Sequence, residues 1–386
     1  MGAPLQQQHR RRFLLSTAAA TGIALAGPVA AVAQTAAATK PAVERIRLAQ
    51  LLDTSPDQQE ISRDYATGMR LAVNQFNRTA VRQVQLVNLE CDGSPAAVTS
   101  AIRSVRGDAS LCALIGTAGE ALALSSVEAA RGEGLQIAHV APWLSDTRFD
   151  RDRDVVPLFA SREAQIRFAL RSLESNGIAD IGLVYATERG VASLHPGVDA
   201  AAKTLNLRTQ VFAPRAGEDV VALAQRLTTA SPAVMLFLGG TIELSQFTQA
   251  LSQRRLHRYV VSLADIDVST LMQLGAGRSL PLILTQVVPN PQTSALPSVR
   301  NYRELLKAQF DEKPSQISLA GYLAGCYALP VIARGRAPTR VSVLAEFARR
   351  EPEDIGGFQV GFSASQRRGS SYVTQTLLTG DGRLVG

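Results

Sequence analysis

The sequence predicts an α/β protein of two similar lobes, each a parallel sheet covered by helices, and three observations carry that prediction. Short apolar runs alternate with segments of helical periodicity from residue 43 to about residue 350. The stretch 111–145, LCALIGTAGEALALSSVEAARGEGLQIAHVAPWLS, shows one strand–helix–strand unit of that alternation in full. After residue 159 the alternation runs a second time, which makes two lobes rather than one.

The first round reads as strand 46–52, helix 61–77, strand 84–89 and helix 95–105. Helix 61–77 carries a buried stripe in Ile61, Tyr65, Met69, Ala72, Val73 and Phe76. Within 111–145, apolar runs at 112–115 and 135–140 flank a helix whose stripe reads Ala121, Leu124, Val127 and Ala130. The turn Gly116-Thr117-Ala118-Gly119 opens that helix, so its free N–H groups face the crevice beyond the strand ends, where open α/β sheets hold ligands. The following strand ends on the same rim at Pro142-Trp143-Leu144-Ser145. A turn that merely connects is the alternative reading. The glycines lack phosphate-loop spacing, so no nucleotide cofactor is expected.

The second round follows an apolar run at 155–159: helix 162–174, strand 181–185, helix 197–205, strand 209–213, helix 220–229, strand 234–238, helix 242–253 and strand 259–263. An apolar strand at 280–287 precedes helices at 299–310, 316–333 and 341–349, and the residues from 356 onward read as turns and short alternating strands.

A chain of 386 residues that is 46% hydrophobic is long enough for two packed lobes. Three arginines of the +7 net charge lie in the first twelve residues and no acid precedes Gln34, so the remainder carries +4, too little for nucleic acid to be expected as a partner. Arg10-Arg11-Arg12-Phe13-Leu14, a mildly apolar run and Ala31-Val32-Ala33 read as an export signal over 1–33, of twin-arginine type, with cleavage after Ala33 and a periplasmic destination. Cys91, Cys112 and Cys326 are expected as buried free thiols, because Cys91 ends one strand and Cys112 begins the next. The histidines show no ligand spacing, so no metal is expected. Neither a GxSxG elbow nor a serine–histidine pair is present, and a binding protein is expected rather than an enzyme.

The order of IRLAQLLDTS, YATGMRLAVNQFN, VQLVNLECDGSPAAV, ALIGTAGEALALS, LQIAHVAPWLS, IGLVYATERG, AVMLFLGG and GYLAGCYALPVIARG resembles type 1 periplasmic solute-binding proteins, in particular the leucine/isoleucine/valine-binding family of ABC importers. The resemblance covers the chain beyond the signal. It implies two Rossmann-like lobes joined by a hinge of three crossings, near 158–161, 285–289 and 357–362. One lobe then holds 43–158 plus 286–356, the other 159–285 plus 357–386. It also implies a monomer that captures a small molecule between the lobes and delivers it to a membrane permease. The same clamp serves a periplasmic sensor that signals to a membrane receptor, and that alternative stays open.

Family members hold a ligand carboxylate with hydroxyls and backbone N–H groups, and several matching positions differ here. Glu120 stands where a serine is usual, Pro142, Trp143 and Ser145 where small residues and a threonine are usual, Gly190 in place of a tyrosine and Ile61 in place of an aromatic residue. Thr241 follows the double glycine, and Asp265 and Asp267 lie near the position of an acid that takes the ligand amine. The candidate ligand contacts are Ser55, Thr117, Gly119, Glu120, Trp143, Ser145, Tyr185, Glu188, Thr241 and Asp265, with Thr187 beside them. Tyr185, Thr187 and Glu188 read equally as an exposed loop, and Trp143 as the edge of a core. A helix start favours an anion by about 0.3–1 kcal/mol, whereas two like charges about 4 Å apart repel by about 4 kcal/mol at an effective dielectric near 20. An ionised Glu120 facing the cleft therefore displaces a ligand carboxylate and changes the ligand. A Glu120 that serves its own helix and faces solvent does neither.

Overall fold

The computed structural model describes residues 45–275, 280–363, 366–380 and 383–386. The expected export signal, 1–33, lies outside the described residues. Strands β1 (Ile46–Asp53), β2 (Val84–Cys91), β3 (Leu111–Ile115), β4 (Ala138–Val140) and β5 (Val155–Val156) form a parallel sheet in the order β2-β1-β3-β4-β5. The second sheet has the order β14-β13-β10-β9-β8-β6-β7, built from β6 (Asp180–Tyr185), β7 (Arg208–Phe212), β8 (Val234–Leu238), β9 (Tyr259–Ser262), β10 (Leu282–Gln286), β13 (Thr374–Leu378) and β14 (Leu384–Val385). It is parallel from β7 to β10 and antiparallel beyond, where β13 pairs with β10. A hairpin, β11 (Glu353–Ile355) and β12 (Phe358–Val360), stands apart from both.

Burial explains the apolar runs. Every residue of β3 and β8 is buried because helices cover both faces, whereas the edge strand β2 is covered only in part and leaves Gln85, Asn88 and Glu90 exposed. Cys91 pairs with Asp53 at one end of β1 while Cys112 follows the Arg47–Leu111 pair at the other, so the strand separates the two thiols.

The first lobe is clamped by α1 (Gln59–Asn77) and α10 (Gln316–Arg334), which meet backbone to backbone. A Cβ on Gly68 would stand 1.7 Å from the Ser318 carbonyl oxygen, and one on Gly321 would stand 2.0 Å from that of Tyr65. Among the described residues α10 alone is long and apolar enough to cross a membrane, yet 83% of its apolar window is buried, which makes it a core helix.

Sheet membership shows three passages between the lobes. The chain leaves β5 for α4 (Arg162–Ser175), leaves β10 for α9 (Pro297–Gln309), and returns to the second sheet at β13. The last passage lies later than residues 357–362, since Phe358 and Val360 still pack in the first lobe's core. It runs beside the first, with Gly369 N donating to Pro157 O at 3.0 Å and Ser370 N to Leu158 O at 2.7 Å.

Three elements depart from expectation. Helix α5 (Glu188–Thr204) begins nine residues before 197 and carries Pro196 inside it, because Thr187 caps Gly190 N at 3.0 Å and starts the helix upstream of the proline. Helix α3 (Glu120–Gly132) buries Leu122, Ala123, Ser126, Val127 and Ala130, leaving Ala121 exposed. Ser126 tolerates burial by donating to Ala123 O at 2.8 Å. A short α8 (Val268–Gln273), capped by Asp267, occupies a stretch read as connection.

Candidate functional site

The starts of five helices converge on a cavity of about 470 Å³ between the lobes. Asp57, Gln58 and Ile61 at the start of α1, Glu120 on α3 and Trp143 come from the first lobe. From the second come Arg162 on α4, Arg189 on α5, Thr241 and Glu243 on α7 (Thr241–Gln253), and Asp265 after β9. Strand ends and helix starts meet here because parallel strands all finish on the same edge of their sheet.

Local backbone geometry builds the first-lobe rim. Gly116 and Gly119 adopt φ of +62° and +103°, which lets the turn leave β3 and start α3 without a side chain toward Asp53, whose Oδ2 would be 3.4 Å from a Cβ on Gly119. Ala141 takes φ +48°, a left-handed conformation rare outside glycine, and Tyr65 Oη holds its carbonyl at 2.8 Å. The kink sends Trp143 back over the turn, where its N–H donates to Thr117 O at 2.8 Å. The indole is only 6% exposed and packs between Tyr65 and Phe159, with ring centroids at 5.9 and 5.5 Å, so it forms the cavity wall as the edge of the first lobe's core.

Four side chains close the base of the cleft across the lobes. Arg162 Nη2 donates to both Glu120 oxygens, at 2.7 and 2.8 Å, and reaches Asp265 Oδ2 at 3.5 Å. Ser145 Oγ bonds Glu120 Oε2 and lies 3.1 Å from Asp265 Oδ2. Burial works against the Arg162 cation, but Asp265 and Glu120 outweigh it and hold its pKa above the usual value. Burial raises the Asp265 pKa, with Arg162 opposing and Glu120 adding to the rise; solvent reaching its 31%-exposed side chain takes back part of that effect. One hydroxyl proton serves one carboxylate. Glu120 and Asp265 therefore compete for the Ser145 proton, and Arg162 serves both.

The structure thus brings Glu120, Trp143, Ser145, Thr241 and Asp265 together, and Thr187 lines the cavity beside them. Thr241 also accepts from Asp267 N at 3.0 Å. The other candidates lie elsewhere. Tyr185 is fully buried, its hydroxyl 3.1 Å from His195 Nδ1 in the second lobe's core, because β6 turns that position inward. Ser55 sits in the turn before α1, where its carbonyl accepts from Gln58 N and Gln59 N. Thr117 is 3% exposed and contributes its carbonyl to Trp143, Gly119 supplies the helix start, and Glu188 is exposed on α5 outside the lining.

Sequence reasoning missed Arg162. The signal was present: a cation at the first position of a helix opposes the helix dipole, so it needs a partner elsewhere. Arg368 was missed as well. Its guanidinium is buried behind the rim, bound to Asp150 at 2.8 and 2.9 Å and to the carbonyls of Leu144 at 2.6 Å, Asp146 at 2.6 Å and Phe159 at 3.1 Å.

Residues 45–380 match the family model described as periplasmic binding protein. Among solved structures, a substrate-binding periplasmic protein from Ralstonia solanacearum is 24% identical, with 88% of this chain and 99% of that chain covered and a TM-score of 0.75. The branched-chain amino acid transporter substrate-binding protein LivJ from Streptococcus pneumoniae, in complex with isoleucine, is 13% identical, with coverage of 89% and 98% and a TM-score of 0.73. A fatty acid ABC transporter substrate-binding protein from Thermomonospora curvata is 12% identical, with coverage of 88% and 90% and a TM-score of 0.74. No curated protein matches the sequence. With its two parallel-sheet lobes, three passages and cleft between them, the chain belongs to the periplasmic binding protein family, in its type 1 form.

Proposed function

We propose that this protein is the exported solute-binding component of an ABC importer, capturing one small molecule between its lobes and delivering it to a membrane permease. One observation carries the reading: a cavity of about 470 Å³ whose wall comes from both lobes, so that a bound molecule holds them together. The basic then apolar N-terminus, with Arg10-Arg11-Arg12-Phe13-Leu14, supports export to the periplasm, where the clamp acts as a monomer. Among its structural neighbours one is described with isoleucine and another as a fatty acid transporter component. Small metabolites with a hydrocarbon part are therefore the starting point for a ligand search.

The test is a thermal-shift screen of small metabolites on protein freed of carried-over ligand, joined to small-angle X-ray scattering. Capture predicts a melting temperature that climbs as ligand passes its dissociation constant and a smaller radius of gyration at saturation. Flat melting curves and unchanged scattering for every metabolite would point instead to a module that binds macromolecules.

A further inference from the structure

We propose that the cleft selects a monocationic amine with an apolar body and turns away free carboxylates. The proposal rests on the capture function above and names the class of molecule captured. Four carboxylates line the cavity, from Asp57, Glu120, Glu243 and Asp265, against two guanidinium groups, from Arg162 and Arg189. Arg162 is engaged with Glu120 and Asp265, and Arg189 stands exposed on the first turn of α5.

The two helix starts best suited to hold an anion each carry a carboxylate of the protein's own. Helices α3 and α7 both start on the cavity from a glycine N-cap, Gly119 and Gly240, with no side chain bonded to the first N–H groups. Each carries its own carboxylate in the first turn, Glu120 on α3 and Glu243 on α7. Glu243 folds back over its helix start, where a Cβ on Gly240 would meet its Oε2 at 2.7 Å. A second anion entering beside either carboxylate meets like charge, whereas an ammonium group on the cavity side of Glu120 and Asp265 meets two carboxylates that share one guanidinium. Much of the rest of the wall is apolar: Ile61, Trp143, Leu238, Leu263 and Ile266 are buried side chains suited to a carbon skeleton, and the polar residues beside them, Gln58, Thr187, Ser193 and Thr241, carry no charge.

The experiment is calorimetric titration of the ligand-free protein with straight-chain, branched and aromatic monoamines, each paired with the carboxylate of the same skeleton. At least one amine should bind about 100-fold more tightly than its partner carboxylate. Asp265→Asn should weaken that amine about tenfold or more. Glu120→Ser, which frees Arg162, should narrow or reverse the preference. Circular dichroism and melting of both variants check that each is folded. Tighter binding of the carboxylate in the pairs that bind, or no binding by any amine, overturns the cation class. If carboxylates or neutral metabolites still close the lobes in scattering, capture itself stands and only the class is wrong.

Discussion

Two arginines flank the hinge, Arg368 buried and Arg162 half-buried, and they differ in what holds them. Arg368 grips Asp150 and four backbone carbonyls, those of Leu144, Ser145, Asp146 and Phe159, and its side chain is 6% exposed. Arg162 grips side-chain carboxylates from opposite lobes and is 20% exposed. Backbone carbonyls cannot leave, so Arg368 is a fixed rivet. Carboxylates on separate lobes part when the lobes part, so Arg162 is a contact that opening breaks. Buried charge alone does not separate architecture from mechanism; the partners do.

The largest effect should come from removing the rivet. Arg368→Met leaves Asp150 and the carbonyls of Leu144, Phe159 and Asp146 buried without a donor, and should cost about 3–5 kcal/mol in denaturant unfolding. Arg162→Met should cost less, about 1–2 kcal/mol, because Glu120 and Asp265 keep solvent access. Its signature should be a larger radius of gyration without ligand, as two carboxylates then face each other across the cleft. A loss of stability equal to that of Arg368→Met, with no change in scattering, would erase the distinction.

The smallest effect is a pH dependence. The folded protein holds the Asp265 proton more tightly than the unfolded chain, so this contribution to stability is full below the ordinary aspartate range near 4 and is lost as pH rises through the raised pKa. Asp64, pushed up to about 6 by burial with the Ser315 hydrogen bond opposing, adds a slope of the same sign between about pH 4 and pH 6. Asp265→Asn should remove its own share of the slope and leave that of Asp64, which a pH series of denaturation midpoints for the two proteins measures. An unchanged slope would mean that Asp265 titrates alike in both states.

Much of the fold was legible because each buried strand is a local run and many helix starts, those after Ser94, Ser161 and Ser315 among them, carry a capping side chain. The runs 111–115 and 234–238 announce their burial directly. What escaped was non-local or masked. Pro196 hid the first half of α5, since proline argues against a helix interior and the Thr187 cap that overrides it lies nine residues away. Trp143 was found by its place at a strand end, and Glu120, Thr241 and Asp265 by the resemblance to solute-binding proteins. Arg162 was not, because its partners lie 42 and 103 residues distant and no periodicity links them. Arg368 sits in a stretch read as turns, and only the packing of two crossings side by side gives it a role.

The glycine contacts between α1 and α10 bear on how such a clamp acquires new tastes. With main chain against main chain there is no layer of side chains to rearrange, so neither helix can slide to reshape the opening that α1 borders. Diversification is thereby pushed to the exchange of individual side chains that line the opening, such as Glu120 and Asp57, while the anvil beneath stays the same.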